Sequence, residues 1–311
     1  MFIHKPVLLE QALTLLEGQG QGLVFVDATL GEGGHAEAFL STDPRLVLYG
    51  VERDEQILER ARQRLDRFGR RVRLFRLDFF EFFRSFSQLV DKPPQRIFFD
   101  LGVSMFHYRA GKRGFSFSRN EPLDMRLDIE KGVSAAEIVN TSSEEELRQL
   151  ILRFGEERYA AMISRAIVGE RERGDIERSK RLAEVIWNAV PPSYRHGRIH
   201  PATRTFQALR IAVNRELDLL EATLPVAFEI LTVGGRMGVI SFHSLEDRIV
   251  KRFFQERNKS CTCPPESPIC QCGGQRRARV LTRKPVRPTD EEMRENPASR
   301  SARFRVLEKI A

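Results

Sequence analysis

The chain predicts an α/β protein, a doubly wound and mostly parallel sheet with an all-helical block inserted into it. Three observations carry this. A glycine loop follows an apolar strand within Val24–Ala36, strands and amphipathic helices then alternate to about Gly102, and roughly a hundred residues without a strand pattern separate the fourth strand from the next. Strand after strand therefore returns to one rim, and in such sheets ligands bind at the carboxyl ends of the strands.

The first element is an arm, His4-Lys5-Pro6-Val7-Leu8, running into a short helix with Leu8, Ala12, Leu15 and Leu16 at helical spacing. The strand Leu23-Val24-Phe25-Val26 follows, ends in Asp27 and breaks into Gly31, Gly33 and Gly34 before a helix begins near Ala36. Glycines let a backbone approach a ligand closely and adopt φ > 0, and the N–H groups that open a helix point the same way. A Cβ at Gly33 or Gly34 is therefore expected to enter the ligand's space. The second strand, Leu46–Val51, ends in Glu52, where a carboxylate can accept both hydroxyls of a ribose. A helix from Glu55 to Phe68 leads to the third strand, Val72–Leu77, which ends in Asp78-Phe79: an acid for an adenine amino group and a ring to stack on the base.

Gly31-x-Gly33-x-x-Ala36 also satisfies the dinucleotide fingerprint. An acid at Asp27, heading the loop, repels a pyrophosphate but can hold the cationic amino-acid end of S-adenosylmethionine. An adenosine carrying a cation fits better than NAD. Taken singly, Asp27 and Asp78 are ordinary strand-end or N-cap residues, and only their order along the chain argues for more.

The fourth strand, Arg96–Phe99, delivers Asp100-Leu101-Gly102-Val103-Ser104 to the same rim. The period then fades from Tyr108 to Arg126, and helices follow around Glu144–Phe154, Glu156–Arg173 and Ser179–Val190. Domain boundaries are expected at 1–104 with 216–311 for the sheet and 105–215 for the helical insertion. Within the insertion Arg109, Lys112, Arg113, Arg119 and Arg126 interleave with Phe115 and Phe117, which reads as a surface for RNA phosphates and unpaired bases, or as a solvated loop over two core rings. Thr203 is read as the N-cap of a helix with Phe206, Leu209, Val213, Leu217, Leu220 and Leu224 on its core face. Its polar face carries Arg204 and Arg210 as further RNA candidates. A last parallel strand, Met237–Phe242, presents His243 to the rim, so Asp100, Ser104 and His243 are the candidate catalytic residues.

Composition agrees with a nucleic-acid partner. The chain has a net charge of +8 and 51 Lys and Arg, 42 of them Arg by count, a bias suited to bidentate phosphate contact and equally to thermal adaptation or genome composition. No signal-peptide pattern and no membrane-length apolar run is present, so a cytoplasmic protein is expected. The cysteines, Cys261, Cys263, Cys270 and Cys272, fall within a dozen residues. Such clustering makes structural zinc a candidate cofactor, although C-x-C is tighter than the usual spacing and leaves disulfides or reduced thiols open. The tail from Arg276 to Lys284 reads as phosphate contact or solubility.

The segments D-A-T-L-G-E-G-G-H (27–35), D-L-G-V-S (100–104), R-G-F-S-F (113–117), P-L-D-M-R (122–126), H-P-A-T-R-T-F-Q-A-L-R (200–210) and S-F-H-S-L-E-D-R (241–248) together resemble the bacterial 16S ribosomal RNA cytosine-N4 methyltransferase family, over nearly the whole chain. The resemblance implies a Rossmann-like S-adenosylmethionine-dependent methyltransferase sheet with a helical insertion. It also implies methylation of a cytosine amino group in the decoding region of small-subunit RNA, on free RNA or an assembled 30S-type subunit, with no membrane and an oligomer possible. Matched residue by residue, the cofactor positions fall on Gly33, Gly34, His35, Glu52, Phe79, Asp100 and His107, joining Asp27, Gly31 and Asp78 above. Glu52 stands where Asp is usual and His107 where Gln is frequent. The alternatives are an NAD-dependent oxidoreductase and a binding protein that kept the fold without the chemistry.

Overall fold

The computed structural model describes residues 6–17, 23–109, 111–197, 199–261, 263 and 274–311. Two compact units emerge: Met1–Val103 with Leu217–Ala311, and Ser104–Glu216.

In the first unit, α1 (Leu9–Leu15) precedes β1 (Val24–Asp27), α2 (Gly34–Thr42), β2 (Val47–Val51), α3 (Glu55–Leu65), β3 (Val72–Phe75), α4 (Phe79–Arg84), α5 (Phe86–Leu89) and β4 (Arg96–Asp100). Strand order across the described sheet is β3-β2-β1-β4 and then three later strands, β5 (Arg236–Ser241), β7 (Arg303–Lys309) and β6 (Ala278–Val280). All pairings through β5 are parallel, while β7 runs antiparallel to both β5 and β6. The order turns back between β1 and β4, the switch point at which the rims of a doubly wound sheet leave a crevice. Both sheet faces are covered. Phe82, Phe83, Phe99 and Phe228 lie in one buried cluster, and Phe25, Phe39, Phe98 and Phe304 in the other. This explains why β1, β2 and β4 are apolar without alternation.

The second unit is helical: α6 (Met105–Arg109), α7 (Ala135–Thr141), α8 (Glu144–Gly155), α9 (Ala160–Arg171), α10 (Ser179–Ala189), α11 (Pro192–Arg195) and α12 (Ala202–Asn214). Ser134 and Ser143 start α7 and α8 through capping boxes with Glu137 and Glu146, the reciprocal pairing that satisfies two otherwise orphaned N–H groups. After α12 the chain re-enters the first unit through α13 (Glu216–Ile230), and α14 (Ser244–Asn258) and α15 (Asp290–Glu295) complete it.

Several local expectations are corrected. Thr203 is not an N-cap: α12 starts at Ala202 after Pro201, and Thr203 N–H donates to the His200 carbonyl at 3.0 Å. The long apolar stripe belongs to two helices, because Arg215 takes a left-handed conformation (φ 51°) that ends α12 before Leu217. The helix expected from Glu156 begins only at Ala160, since Glu156 is itself left-handed (φ 49°) and closes α8. Part of the Arg276–Lys284 tail is strand β6, with Ala278 buried. No helix among the described residues is long and apolar enough to cross a membrane.

Candidate active site

The carboxyl ends of β1, β2, β4 and β5 carry an acid-rich rim. At the end of β1, Asp27 is buried and accepts a hydrogen bond from Thr29 N–H at 3.3 Å. Loss of hydration pushes its carboxyl up from 3.8 to about 7, with the charge of Glu52 adding to the shift against the opposing Thr29 bond. Glu52 ties β2 to the glycine loop: its Oε2 accepts from Gly31 N–H at 3.1 Å and its Oε1 from Asp54 N–H at 2.9 Å.

The loop has glycine where φ demands it, with Gly31 at 53° and Gly33 at 78°, the latter capping α2. Their missing Cβ atoms do not face a common ligand space, contrary to expectation. A Cβ at Gly33 would meet Leu65 at 3.3 Å, and one at Gly34 would meet Pro6 at 2.8 Å and Arg64 at 3.3 Å. Both glycines serve the packing of α2 against α3 and the arm. At Gly31 the nearest atom is the Thr29 carbonyl at 3.9 Å, so that position faces open space.

Asp100, at the end of β4, is held by its backbone, whose N–H donates to the Thr29 hydroxyl, and Thr29, a loop residue to which the sequence assigns no role, thereby ties the β1 and β4 exits together. A quarter of the Asp100 side chain is exposed, yet its Oδ1 is buried with no partner among the described residues. Burial raises its pKa well above the ordinary carboxylate range, and the charges of Asp27 and Glu246 push the same way. Its Oδ2 lies 3.5 Å from His35 Nδ1. The other ring nitrogen, Nε2, is 2.9 Å from the Val7 carbonyl, which can only accept, so Nε2 carries a proton. His35 therefore sits beneath Asp100 as a buried support anchored in the N-terminal arm.

His243 closes β5 by capping α14, its Nδ1 accepting from Glu246 N–H at 3.4 Å. Glu246 returns the contact, accepting from Phe242 N–H at 2.8 Å and His243 N–H at 3.3 Å. Asp78 is an N-cap too, with its Oδ1 on Glu81 N–H at 2.8 Å, while Phe79 packs edge-on against Phe99 at 5.9 Å and remains partly exposed.

The remaining candidates lie in the second unit. Ser104 turns the chain into α6, its hydroxyl accepting from Phe106 N–H at 3.2 Å. His107 is buried, 5.0 Å from the Phe115 ring, and Phe115 is itself buried, so neither presents a face to solvent. Arg126 is held by a two-pronged pair with Asp124 (2.8 and 2.9 Å), and Arg210 by Glu216 (3.0 Å twice) with a further bond to the Tyr108 hydroxyl at 3.0 Å. Arg113 donates to the carbonyls of Arg126 and Leu127 at 3.1 and 3.0 Å. Arg204 reaches the Glu156 carbonyl at 3.2 Å and is still 41% exposed. Lys112 and Arg119 are exposed, and of Arg109 only the backbone is described. Of the cysteines, Cys261 is exposed and accepts on Sγ from Cys263 N–H at 3.4 Å; Cys270 and Cys272 lie outside the described residues.

The model of the MraW methylase family matches residues 1–310. The chain belongs to this family. Its relatives include a protein of Treponema denticola called ribosomal RNA small subunit methyltransferase H, 55% identical with 99% of this chain and 98% of that one covered. A protein of the same name from Syntrophus aciditrophicus is 44% identical over 99% and 98% of the two chains. Among solved structures, a putative methyltransferase from Streptococcus mutans in complex with SAH aligns over 99% of this chain and 100% of that chain, at 12% identity and a TM-score of 0.44.

Proposed function

We propose that this methylase transfers a methyl group from S-adenosylmethionine to the N4 amino group of a cytosine in the decoding region of small-subunit ribosomal RNA, in the cytoplasm. The observation that carries the reading is the rim itself: Asp27, Glu52, Asp100 and Glu246 gather beside a glycine loop, with a buried Asp100 oxygen that has no partner among the described residues. Such a site repels a pyrophosphate and suits a cation and an amine. The relatives' name supplies the substrate class.

The donor, when bound, supplies an electrophilic methyl group on a cationic sulfur. Asp27 would hold its ammonium end and Glu52 its ribose, with Asp78 and Phe79 placed for the adenine. A cytosine amino group is a weak nucleophile because its lone pair is delocalised into the ring. Asp100, by accepting one of its N–H bonds, returns density to nitrogen and fixes it in line with the methyl. The proton that the nitrogen sheds passes to Asp100. Positive charge arriving with the donor opposes the repulsion among the rim acids and keeps Asp100 ionised for this task.

Thermal-shift measurements with S-adenosylhomocysteine and NAD test the donor assignment: stabilisation by the first and none by the second supports it, and the reverse overturns it.

A further inference from the structure

The second unit joins Phe117 to two rings, Trp187 and His200, that have no assigned role. Three residues distant in sequence bring their rings into one stack: Phe117 lies on His200 at 4.5 Å and 24°, and His200 on Trp187 at 5.2 Å and 29°. Phe206 makes an edge contact with Phe117 at 5.2 Å, and His196 with Trp187 at 6.0 Å and 90°. The rings differ from the closed core around them. Phe117, Trp187 and His200 are all partly exposed, His196 is exposed, and the neighbouring Ile199 is 53% exposed. The His200 imidazole is neutral: its Nδ1 accepts from Ala202 N–H at 3.2 Å and burial lowers its pKa, so the stack is an uncharged π surface.

The local sequence is basic. From Val185 to Arg215 the chain carries five arginines and no Asp or Glu, where 43 acids among 311 residues would place about four in a stretch this long. Arg210 is committed to Glu216, Arg195 caps the end of α10 through the Asn188 and Val190 carbonyls, and Arg204, 3.9 Å from the buried Glu157 carboxylate, stays 41% exposed. Partly exposed rings beside arginines are the two components of single-strand recognition: bases stack on the rings while guanidinium groups follow the phosphates.

We propose that the Trp187–His200–Phe117 stack is a platform on which an unpaired base of the RNA substrate stacks, with Arg195 and Arg204 on the adjoining phosphates. This rests on the RNA-methylating reading above and adds a substrate contact to it.

Trp187 is the only tryptophan in the chain, so its fluorescence reports on this place alone. Titration with a short unstructured RNA should quench it saturably, and the duplex of the same sequence should quench it far less. Trp187→Ala should weaken binding of that RNA by about 5- to 100-fold, the range that base stacking on a ring supplies. Trp187→Phe should recover most of the loss, and both variants should keep a cooperative thermal unfolding transition and the wild-type affinity for S-adenosylhomocysteine. Saturable RNA binding with unchanged Trp187 emission, or unchanged affinity in the alanine variant, would overturn the platform. The broader reading is read out separately by methyl transfer to small-subunit RNA: transfer by the wild type with no effect at Trp187 removes only the platform, and quenching without transfer removes only the proposed reaction. A wild type that binds no RNA removes both.

Discussion

Replacing Asp27 by Asn separates the two demands that the rim places on this carboxylate. In the apoprotein Asp27 is buried among other acids, and its pKa rises from 3.8 to about 7. The folded state thus holds a proton that the unfolded chain releases, so this contribution to stability is intact below pH 3.8 and is lost as pH rises toward 7. At about 1.4 kcal/mol per pH unit the interval amounts to about 4 kcal/mol, an upper bound because the neighbouring acids titrate together. Asn keeps the shape and can still accept from Thr29 N–H, but carries no charge. Urea unfolding of the apoprotein should therefore give nearly equal stabilities near pH 4 and a growing advantage for Asp27→Asn above it, up to a few kcal/mol near pH 8. Calorimetry should show the opposite for function: wild-type affinity for the cationic donor rises with pH through about 7, while the variant binds weakly with little pH dependence. A variant less stable than wild type at every pH would refute the reasoning, because it would make Asp27 a structural acid and not one held against its own charge.

Asp100→Ala should lower turnover by about 10²- to 10⁴-fold with a smaller change in donor affinity, measured by single-turnover methyl transfer and calorimetry; parallel losses would move Asp100 to the donor. Gly34→Val should destabilise the apoprotein by about 1–3 kcal/mol through its clash with Pro6, seen as a lower unfolding midpoint before any ligand is added. Unchanged stability with lost binding would restore the ligand-facing reading of that glycine. Arg210→Ala should cost stability, since it strips Glu216 and Tyr108 of a partner, whereas Lys112→Ala should leave melting unchanged and reduce the log–log salt slope of RNA binding by about 0.7–0.9.

What the sequence disclosed and what it hid divide along a physical line. Strand-to-loop transitions were legible because parallel strands are apolar on both faces and end abruptly in Asp27, Glu52 and Asp100. β6 was hidden because Arg277 and Arg279 flank a single buried Ala278, and their ion pairs with Glu229 and Glu308 lie 48 and 29 residues away. Arg113 and Arg126 look available for phosphate in the sequence, although Arg126 is held by Asp124 two residues away and Arg113 by backbone carbonyls 13 and 14 residues on. Gly33 and Gly34 were correctly seen as special but given the wrong neighbour, since the direction of an absent Cβ depends on how α3 and the arm pack. The support of Asp100 by Thr29 and His35 joins β1, α2 and β4, which only the sheet order brings together.

The most direct test of the central claim is mass mapping of small-subunit RNA after incubation with the protein and isotope-labelled S-adenosylmethionine. The account predicts label on the N4 of one cytosine in the decoding region, absent with Asp100→Ala. Label on a ring carbon or a ribose oxygen, or none on RNA while the donor binds, would contradict it.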